Sequence, residues 1–317
     1  MANRKMISVI TPCYNEEETV RECYEEIKKL FATQLPQYDY EHIFCDNASE
    51  DGTVSVLEEL ARGDKRVKVI VNANNFGFLR SMFNGVMSAS GDAVIPMMPA
   101  DLQDPPELIP VFADYWEKGY KVVYGQRDKR EESFVKQTAR KLYYKFVTRF
   151  AKTKIPLDAG EFQLIDRKVV EALRLFDDYE PYLRGMIASC GFKSIGVKYF
   201  MKKREKGEAK GKLLLLLDLG LNGIVSTTAI PIRMGLIFGF VMSFLSILYA
   251  VFQLVLYFFT SHSQLHKGMA SVLIGLFLLS GIQLFFISLV GEYVASIHAQ
   301  VRKGPLVVEE KRINFEA

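Results

Sequence analysis

"AVIPMMPADLQDPPELIP", residues 93–110, decides the fold. An apolar run of strand length stops after Met98, and a polar tip follows that carries Asp101, Gln103 and Asp104 between Pro99 and the Pro105–Pro106 pair. The continuation "PPELIPVFADYWEKG" has helical spacing and two prolines suited to a helix start, with Asp104 as the expected cap. The stretch therefore reads as strand, polar turn, helix.

The same order recurs upstream. "MISVITP" (6–12), "EHIFCD" (41–46) and "VKVIVN" (67–72) are short apolar runs that end in polar or turn residues, with helical spacing over Glu17 to Phe31 and Thr53 to Ala61 between them. Strands alternating with helices predict a mostly parallel sheet covered on both faces, whose ligands bind outside the carboxyl ends of the strands. The informative residues fall at those ends: "TPCYNEEETV" after the first strand, "CDNASEDGTV" after the second, "ADLQD" after the fourth. Each alone is compatible with turn and cap chemistry, and "EDGT" supplies a helix start with Gly52 in the turn. Three polar strand ends on one sheet edge point to a site.

Charge is unevenly spread over the 317 residues. Met234 to Phe259 and Met269 to Val290 contain no Asp, Glu, Lys or Arg. At a rise of about 1.5 Å per residue each run is long enough to cross a hydrocarbon core of about 30 Å, and neither shows the polar face of a soluble helix. Two transmembrane helices are expected. The link Thr260 to Gly268 holds one Lys and two His, whereas Lys202, Lys203, Arg204, Lys206, Lys210, Lys212 and Arg233 precede the first run and Arg302 and Lys303 follow the second. That bias predicts cytoplasmic termini and a cytoplasmic N-terminal domain. "GKLLLLLDLGLNGIVSTTAIPIR" (211–233), broken by Asp218 and Asn222, reads as interfacial helices beside a basic cluster that faces anionic headgroups. Gln253 and Gln283 are polar positions for packing between helices.

The expected division is a catalytic domain over 1–200, a basic loop and interfacial helices over 201–233, two spans over 234–293 and a cytoplasmic tail over 294–317. No secretory leader pattern stands at "MANRKMISVITPCYNEEE". Cys13, Cys23, Cys45 and Cys190 lack paired spacing, which fits a reducing compartment and argues against a disulfide or zinc framework. A net charge of +3 is too small to indicate nucleic acid as a partner.

Asp101 and Gln103 are hard oxygen ligands spaced to point the same way, and such ligands suit Mg²⁺ or Mn²⁺. So few protein ligands leave room for phosphate oxygens, which favours a metal-bridged nucleoside diphosphate over an all-protein cage.

With these motifs in order, "TPCYNEE", "CDNASEDGT", "NNFGF", "PADLQDPPE", "DAGEFQLIDRKVV", "YLRG", "KREKGEAKGK", two apolar runs and "GEYVASIHAQVRKGPL", nearly the whole chain resembles the polyisoprenyl-phosphate glycosyltransferases, the dolichol-phosphate-mannose-synthase-like members of glycosyltransferase family 2. The resemblance implies a GT-A fold that transfers a sugar, with inversion, from a nucleoside diphosphate sugar to the phosphate of a long isoprenoid lipid. It implies Pro12, Tyr14, Glu16, Asp46, Asn75 and Lys210 at the nucleotide sugar, Asp101 and Gln103 at the metal, and Arg204 with Lys210 over the diphosphate or lipid phosphate. Arg127 and Arg140 are the candidates for the acceptor phosphate. It also implies a homo-oligomer in a bacterial inner membrane, with a UDP-sugar expected ahead of a GDP-sugar.

Four positions depart from the family pattern: Pro99 for the first Asp of "DAD", Asn47 for the second Asp of "DDGS", Ala209 for a serine, and Phe78 for a polar or basic residue. An anionic phosphate acceptor needs no strong general base. Asp158 and Glu161 in "PLDAGEF" are the carboxylates available near the reacting carbon, Asp158 foremost. Two other readings remain: transfer to a hydroxyl of a lipid-linked saccharide, which would require Asp158 as a base, and a non-catalytic nucleotide-sugar-binding membrane protein.

Overall fold

The computed structural model describes residues 4–127, 159–179, 181–200, 230–259, 269–302 and 304–315. The chain divides into two compact units, Met1–Leu216 with Lys303–Ala317, and Leu217–Arg302. In the first, β1 (Met6–Cys13), α1 (Val20–Gln34), β2 (Asp39–Asp46), α2 (Thr53–Gly63), β3 (Val67–Asn72), α3 (Phe78–Ser88) and β4 (Ala93–Ile95) alternate as the sequence predicts. A 3-10 turn (Pro106–Leu108) leads into α4 (Ile109–Glu117), then β5 (Val122–Arg127), β6 (Ala159–Asp166), α5 (Arg167–Leu173), α6 (Leu183–Ser189) and β7 (Ser194–Tyr199).

These strands and the C-terminal β8 (Glu309–Ile313) form one eight-stranded sheet in the order β7-β5-β6-β4-β1-β2-β3-β8. β1 pairs in parallel with β2 and β4, β2 with β3, and β5 with β7, while β6 and β8 run antiparallel to their neighbours. Side chains alternate across the sheet, as a strand requires. Ile7 and Val9 join Cys23, Ile27 and Phe31 of α1 and Phe112 and Trp116 of α4 on one face. Ile10, Ile43 and Ile70 meet Met82 and Val86 of α3, with α5 and α6, on the other.

Four local differences from the sequence reading have physical causes. α1 begins at Val20, not Glu17, because the amides of Thr19 and Val20 first donate to Glu16 O and close a turn. β4 ends at Ile95, not Met98: Pro96 has no N–H to extend the ladder, though Met98 N still donates to Ile10 O at 2.8 Å. The turn after Asp104 is capped at Pro105 with no side-chain hydrogen bond, so Asp104 does not serve as the helix cap. Within the C-terminal segment the structure adds a strand that the sequence reading did not include, β8, which extends the sheet beside β3.

The second unit contains α7 (Ile230–Phe259) and α8 (Met269–Arg302), which enclose both charge-free runs. They pack together where Gly235 leaves room for Phe286: a Cβ on Gly235 would lie 2.6 Å from that ring. Much of their remaining apolar surface, including Phe240, Ile247, Leu284 and Phe285, is exposed, as is Gln283. Among the described residues one stretch, Leu279–Arg302, is long and apolar enough to cross a membrane, and Ile237–Tyr249 is a shorter apolar stretch. The side chain of Gln253 and the segment 211–229 lie outside the described residues.

Opposite the carboxyl ends of the parallel strands, a buried carboxylate closes the sheet. Glu41 accepts from Ser8 Oγ (2.6 Å), Ser90 N (2.6 Å) and Ser90 Oγ (2.8 Å), and pairs with Lys68 at 2.6 Å. Burial alone would raise its pKa, but the lysine and the donors from Ser8 and Ser90 outweigh it and hold the carboxyl below its usual value. A depressed acid stabilises the fold above its unfolded pKa of about 4.3, and that contribution is lost as pH falls through the folded value. Glu41→Gln should lose stability at pH 7 and flatten the acid limb of the stability curve below about pH 4, measured by denaturant unfolding across pH. An unchanged acid limb would contradict this role.

Candidate active site

Three loops leave the carboxyl ends of β1, β2 and β3, and they are bound to one another before any ligand enters. Asn15 N donates to Ser49 Oγ (2.9 Å), and Asn15 Oδ1 accepts from Glu50 N (2.8 Å). Glu16 N donates to Thr53 Oγ1 (2.9 Å), and Glu17 Oε2 accepts from Gly52 N (3.0 Å). A Cβ at Gly52 would stand 2.4 Å from Glu17 Oε1, so any larger residue there would shift that flexible carboxylate. Asp46 is fully buried, and its two oxygens accept from Ser49 N (2.9 Å) and Ser49 Oγ (2.5 Å). Burial pushes the Asp46 pKa up despite these bonds, with the nearby Asp51 charge adding to the effect.

Asn47 joins the third loop to this pair. Its backbone N donates to Cys13 O (2.9 Å); its Oδ1 accepts from Asn72 Nδ2 (3.1 Å) and Phe76 N (3.0 Å), and its Nδ2 donates to Asn75 Oδ1 (2.7 Å). Asn75 Oδ1 also accepts from Gly77 N (3.0 Å), where φ is +84°. Asn75 itself is exposed.

The fourth loop carries Asp101 and Gln103, both half-buried, with Asp101 Oδ1 accepting from Gln103 N at 3.3 Å. The intervening Leu102 has φ +54°, and its N donates to Pro99 O at 3.1 Å, so the proline sits at the entry of the turn. Asp101 is close enough to α1 for its charge to raise the Cys23 thiol, which burial pushes up first, to about 12. Asp104 is buried and accepts a hydrogen bond from Tyr199 Oη, which ties the turn to the end of β7. Among the described residues no three His, Cys, Asp or Glu side chains group as metal ligands do. Two hard oxygen donors on one partly exposed turn do fit a divalent cation that draws its other ligands from a bound diphosphate.

The rest of the sheet brings further candidates to the same edge by topology. β5 is parallel to β7 and antiparallel to β6, which is antiparallel to β4. The carboxyl end of β5 (Arg127), the amino end of β6 (Ala159) and the carboxyl end of β7 (Tyr199) therefore stand on the side of the β4 turn. Asp158 precedes β6 directly, and Arg204 and Lys210 follow β7 in sequence. Asp158, Arg140, Arg204, Lys210 and the side chain of Arg127 lie outside the described residues.

Pro12 is half-buried beside Cys45, with half-buried Tyr14 and Glu16 just beyond the strand. Glu16 Oε2 accepts from Thr19 Oγ1 at 2.9 Å. Cys13, Cys23 and Cys45 are free and buried, with burial raising each thiol, so they are unreactive core groups. His42 bonds to Thr11 Oγ1 at 2.8 Å, and burial lowers its pKa to about 3, so it stays neutral. The sequence reading missed Asn15, Ser49 and Tyr199; only their positions beside the strand ends could have signalled them.

Residues 8–174 match the domain "Glycosyl transferase family 2". The chain is 33% identical, over 100% of its length and 97% of the relative's, to "Uncharacterized glycosyltransferase YkcC" of Bacillus subtilis. It is 30% identical, over 96% of its length and 97% of the relative's, to "Bactoprenol glucosyl transferase" of Shigella phage SfII. Among solved structures it is similar to "Mannosyltransferase PcManGT from Pyrobaculum calidifontis in complex with GDP-Man and Mn2+", with a TM-score of 0.46, 20% identity, and coverage of 66% of this chain and 59% of that one. The fold is thus the mostly parallel, Rossmann-like α/β sheet of the GT-A type, and the molecule is a glycosyltransferase. The chain belongs to glycosyl transferase family 2.

The Tyr199–Asp104 bond gives a direct test of how the turn after β4 is held. Tyr199→Phe removes a donor from a buried carboxylate and should cost about 1–3 kcal/mol in denaturant unfolding. Adding Asp104→Asn to Tyr199→Phe should cost less than the sum of the single changes, as residues in contact do. Additive losses would mean that the two side chains act separately.

Proposed function

We propose that this glycosyltransferase moves a sugar, with inversion and with a divalent cation, from a nucleoside diphosphate sugar to a polyisoprenyl phosphate at the cytoplasmic face of a bacterial membrane. The observation that carries the donor half is the convergence of the β1, β2, β3 and β4 loops on one edge, with Asp101 and Gln103 on the last. The lipid half is supported by relatives named for bactoprenol over nearly the whole chain and by the exposed apolar surface of α7 and α8. Both helices are read as spans, preceded by the basic and interfacial segment 201–233, with the catalytic part on the cytoplasmic side.

Each group then has a task. Mg²⁺ or Mn²⁺ would supply charge stabilisation at the diphosphate as the sugar leaves it. Asp101 and Gln103 hold that end of the donor. The loops after β1, β2 and β3 enclose the nucleoside, with Pro12, Tyr14, Glu16 and Asn75 toward it and Asp46 bracing Ser49 from beneath. Arg204 and Lys210 neutralise the diphosphate from the basic segment, and Arg127 and Arg140 receive the acceptor phosphate. That phosphate is already an anion, so it attacks the anomeric carbon without prior proton removal. Asp158 contacts a sugar hydroxyl instead of acting as a base. A UDP-sugar is the proposed donor, and a homo-oligomer the proposed assembly.

The test is transfer of labelled sugar from UDP- and GDP-sugars to membranes supplied with polyprenyl phosphate. Label should enter an organic-soluble product released by mild acid, as a glycosyl phosphate is, and both a chelator and Asp101→Asn should abolish it. Acid-stable label, as in a glycoside formed on a saccharide hydroxyl, would contradict the acceptor, and transfer by Asp101→Asn would contradict the metal turn.

A further inference from the structure

Asn47 stands where the resemblance leads one to expect a carboxylate, and its surroundings explain why an amide is required. Two backbone amides fix the network, and a backbone N–H can only donate. Phe76 N donates to the side chain of Asn47, so the acceptor end of that side chain faces Phe76. Its other end faces Asn75, where Gly77 N already donates to Oδ1. Oxygen therefore faces inward at Asn75, and position 47 must donate to it. Asparagine does so at 2.7 Å, whereas an ionised aspartate has no hydrogen to give. Asn47 is only 4% exposed and adjoins the buried Asp46, so a second carboxylate there would also face a like charge.

The consequence appears on the exposed side of the loop. With Oδ1 held inward by two donors, Asn75 turns its Nδ2 away from the network at the carboxyl edge of β3. Asn72, buried behind, keeps the relay in place through Nδ2 bonds to Asn47 Oδ1 and to Ser81 Oγ (3.3 Å). We infer that Asn47 is a positioning residue that fixes Asn75 as a hydrogen-bond donor toward an acceptor oxygen of the bound nucleoside diphosphate. This rests on the reading of the edge as a nucleotide-sugar site. The acceptor is either a carbonyl of the base or a phosphate oxygen.

Two substitutions disturb the donor by different routes. Asn75→Asp keeps both inward bonds, because a carboxylate oxygen accepts from Asn47 and Gly77 equally well, but it presents oxygen outward at an exposed position. Asn47→Asp acts at a distance: the new carboxylate opposes Asn75 Oδ1, which Gly77 N still holds inward, so Asn75 loses one of the two bonds that fix its Nδ2 as an outward donor. Calorimetry with UDP and Mn²⁺ on the full-length protein should show about tenfold weaker binding for each, about 1.4 kcal/mol, with the Asn75→Asp melting temperature unchanged. In an Asn75→Ala background, Asn47→Asp should weaken UDP no further, since its effect passes through Asn75. Pyrophosphate in place of UDP identifies the acceptor: weakened binding of both ligands assigns a phosphate oxygen, and of UDP alone the base. If Asn75→Asp binds UDP as the parent does, or if Asn47→Asp still weakens binding without Asn75, the inference is overturned. If the parent binds neither UDP nor GDP with Mn²⁺, the nucleotide site itself is wrong, which is a separate failure.

Discussion

Parallel pairing of β1 with β2 and β4, and of β2 with β3, is the constraint on which everything else depends. A parallel strand cannot turn back directly into its neighbour, so each must leave at the same edge and return through a helix. Four loops are forced together there, and their backbone polar groups must find partners among themselves. The bonds between the 14–19 and 47–53 loops, and from Asn47 into the 73–77 loop, are that requirement met by side chains. A pre-organised edge follows from the topology, and it meets a ligand with little left to order.

Strain falls in the same place. Asn15, Ala48 and Leu102 have positive φ without being glycine, and they follow β1, β2 and β4 respectively. Asparagine tolerates that region well, but leucine pays of the order of 1–3 kcal/mol for it. At Leu102 the conformation sets Asp101 and Gln103 on one turn, while the buried Asp104–Tyr199 contact anchors the far side. Rigidity here comes from neighbouring elements and not from the turn residues' own preferences.

The alternation of apolar strands with amphipathic helices made the sheet and the location of the site readable from sequence, because burial on both faces writes itself directly into composition. The strand ends at Asp46 and Asn72 were legible for that reason. β8 was not, since Glu309–Ile313 is a charged edge strand whose pairing depends on contact with β3, more than two hundred residues away. Asp104 was misread because local cap chemistry and a tertiary bond to Tyr199 require the same residue type. Asn47 was read as a departure from a pattern, and its partners became visible only when three loops were brought together.

The central claim is that these loops form one nucleotide-sugar site. Amide hydrogen exchange, followed with and without a UDP-sugar and Mn²⁺, tests it most directly, because exchange reports local opening segment by segment. Peptides covering 12–19, 45–53, 72–77 and 97–104 should gain protection together, while those at the opposite edge, around Ser90 to Asp92, should not change. Protection confined to one of the four, or appearing at the opposite edge instead, would contradict the account.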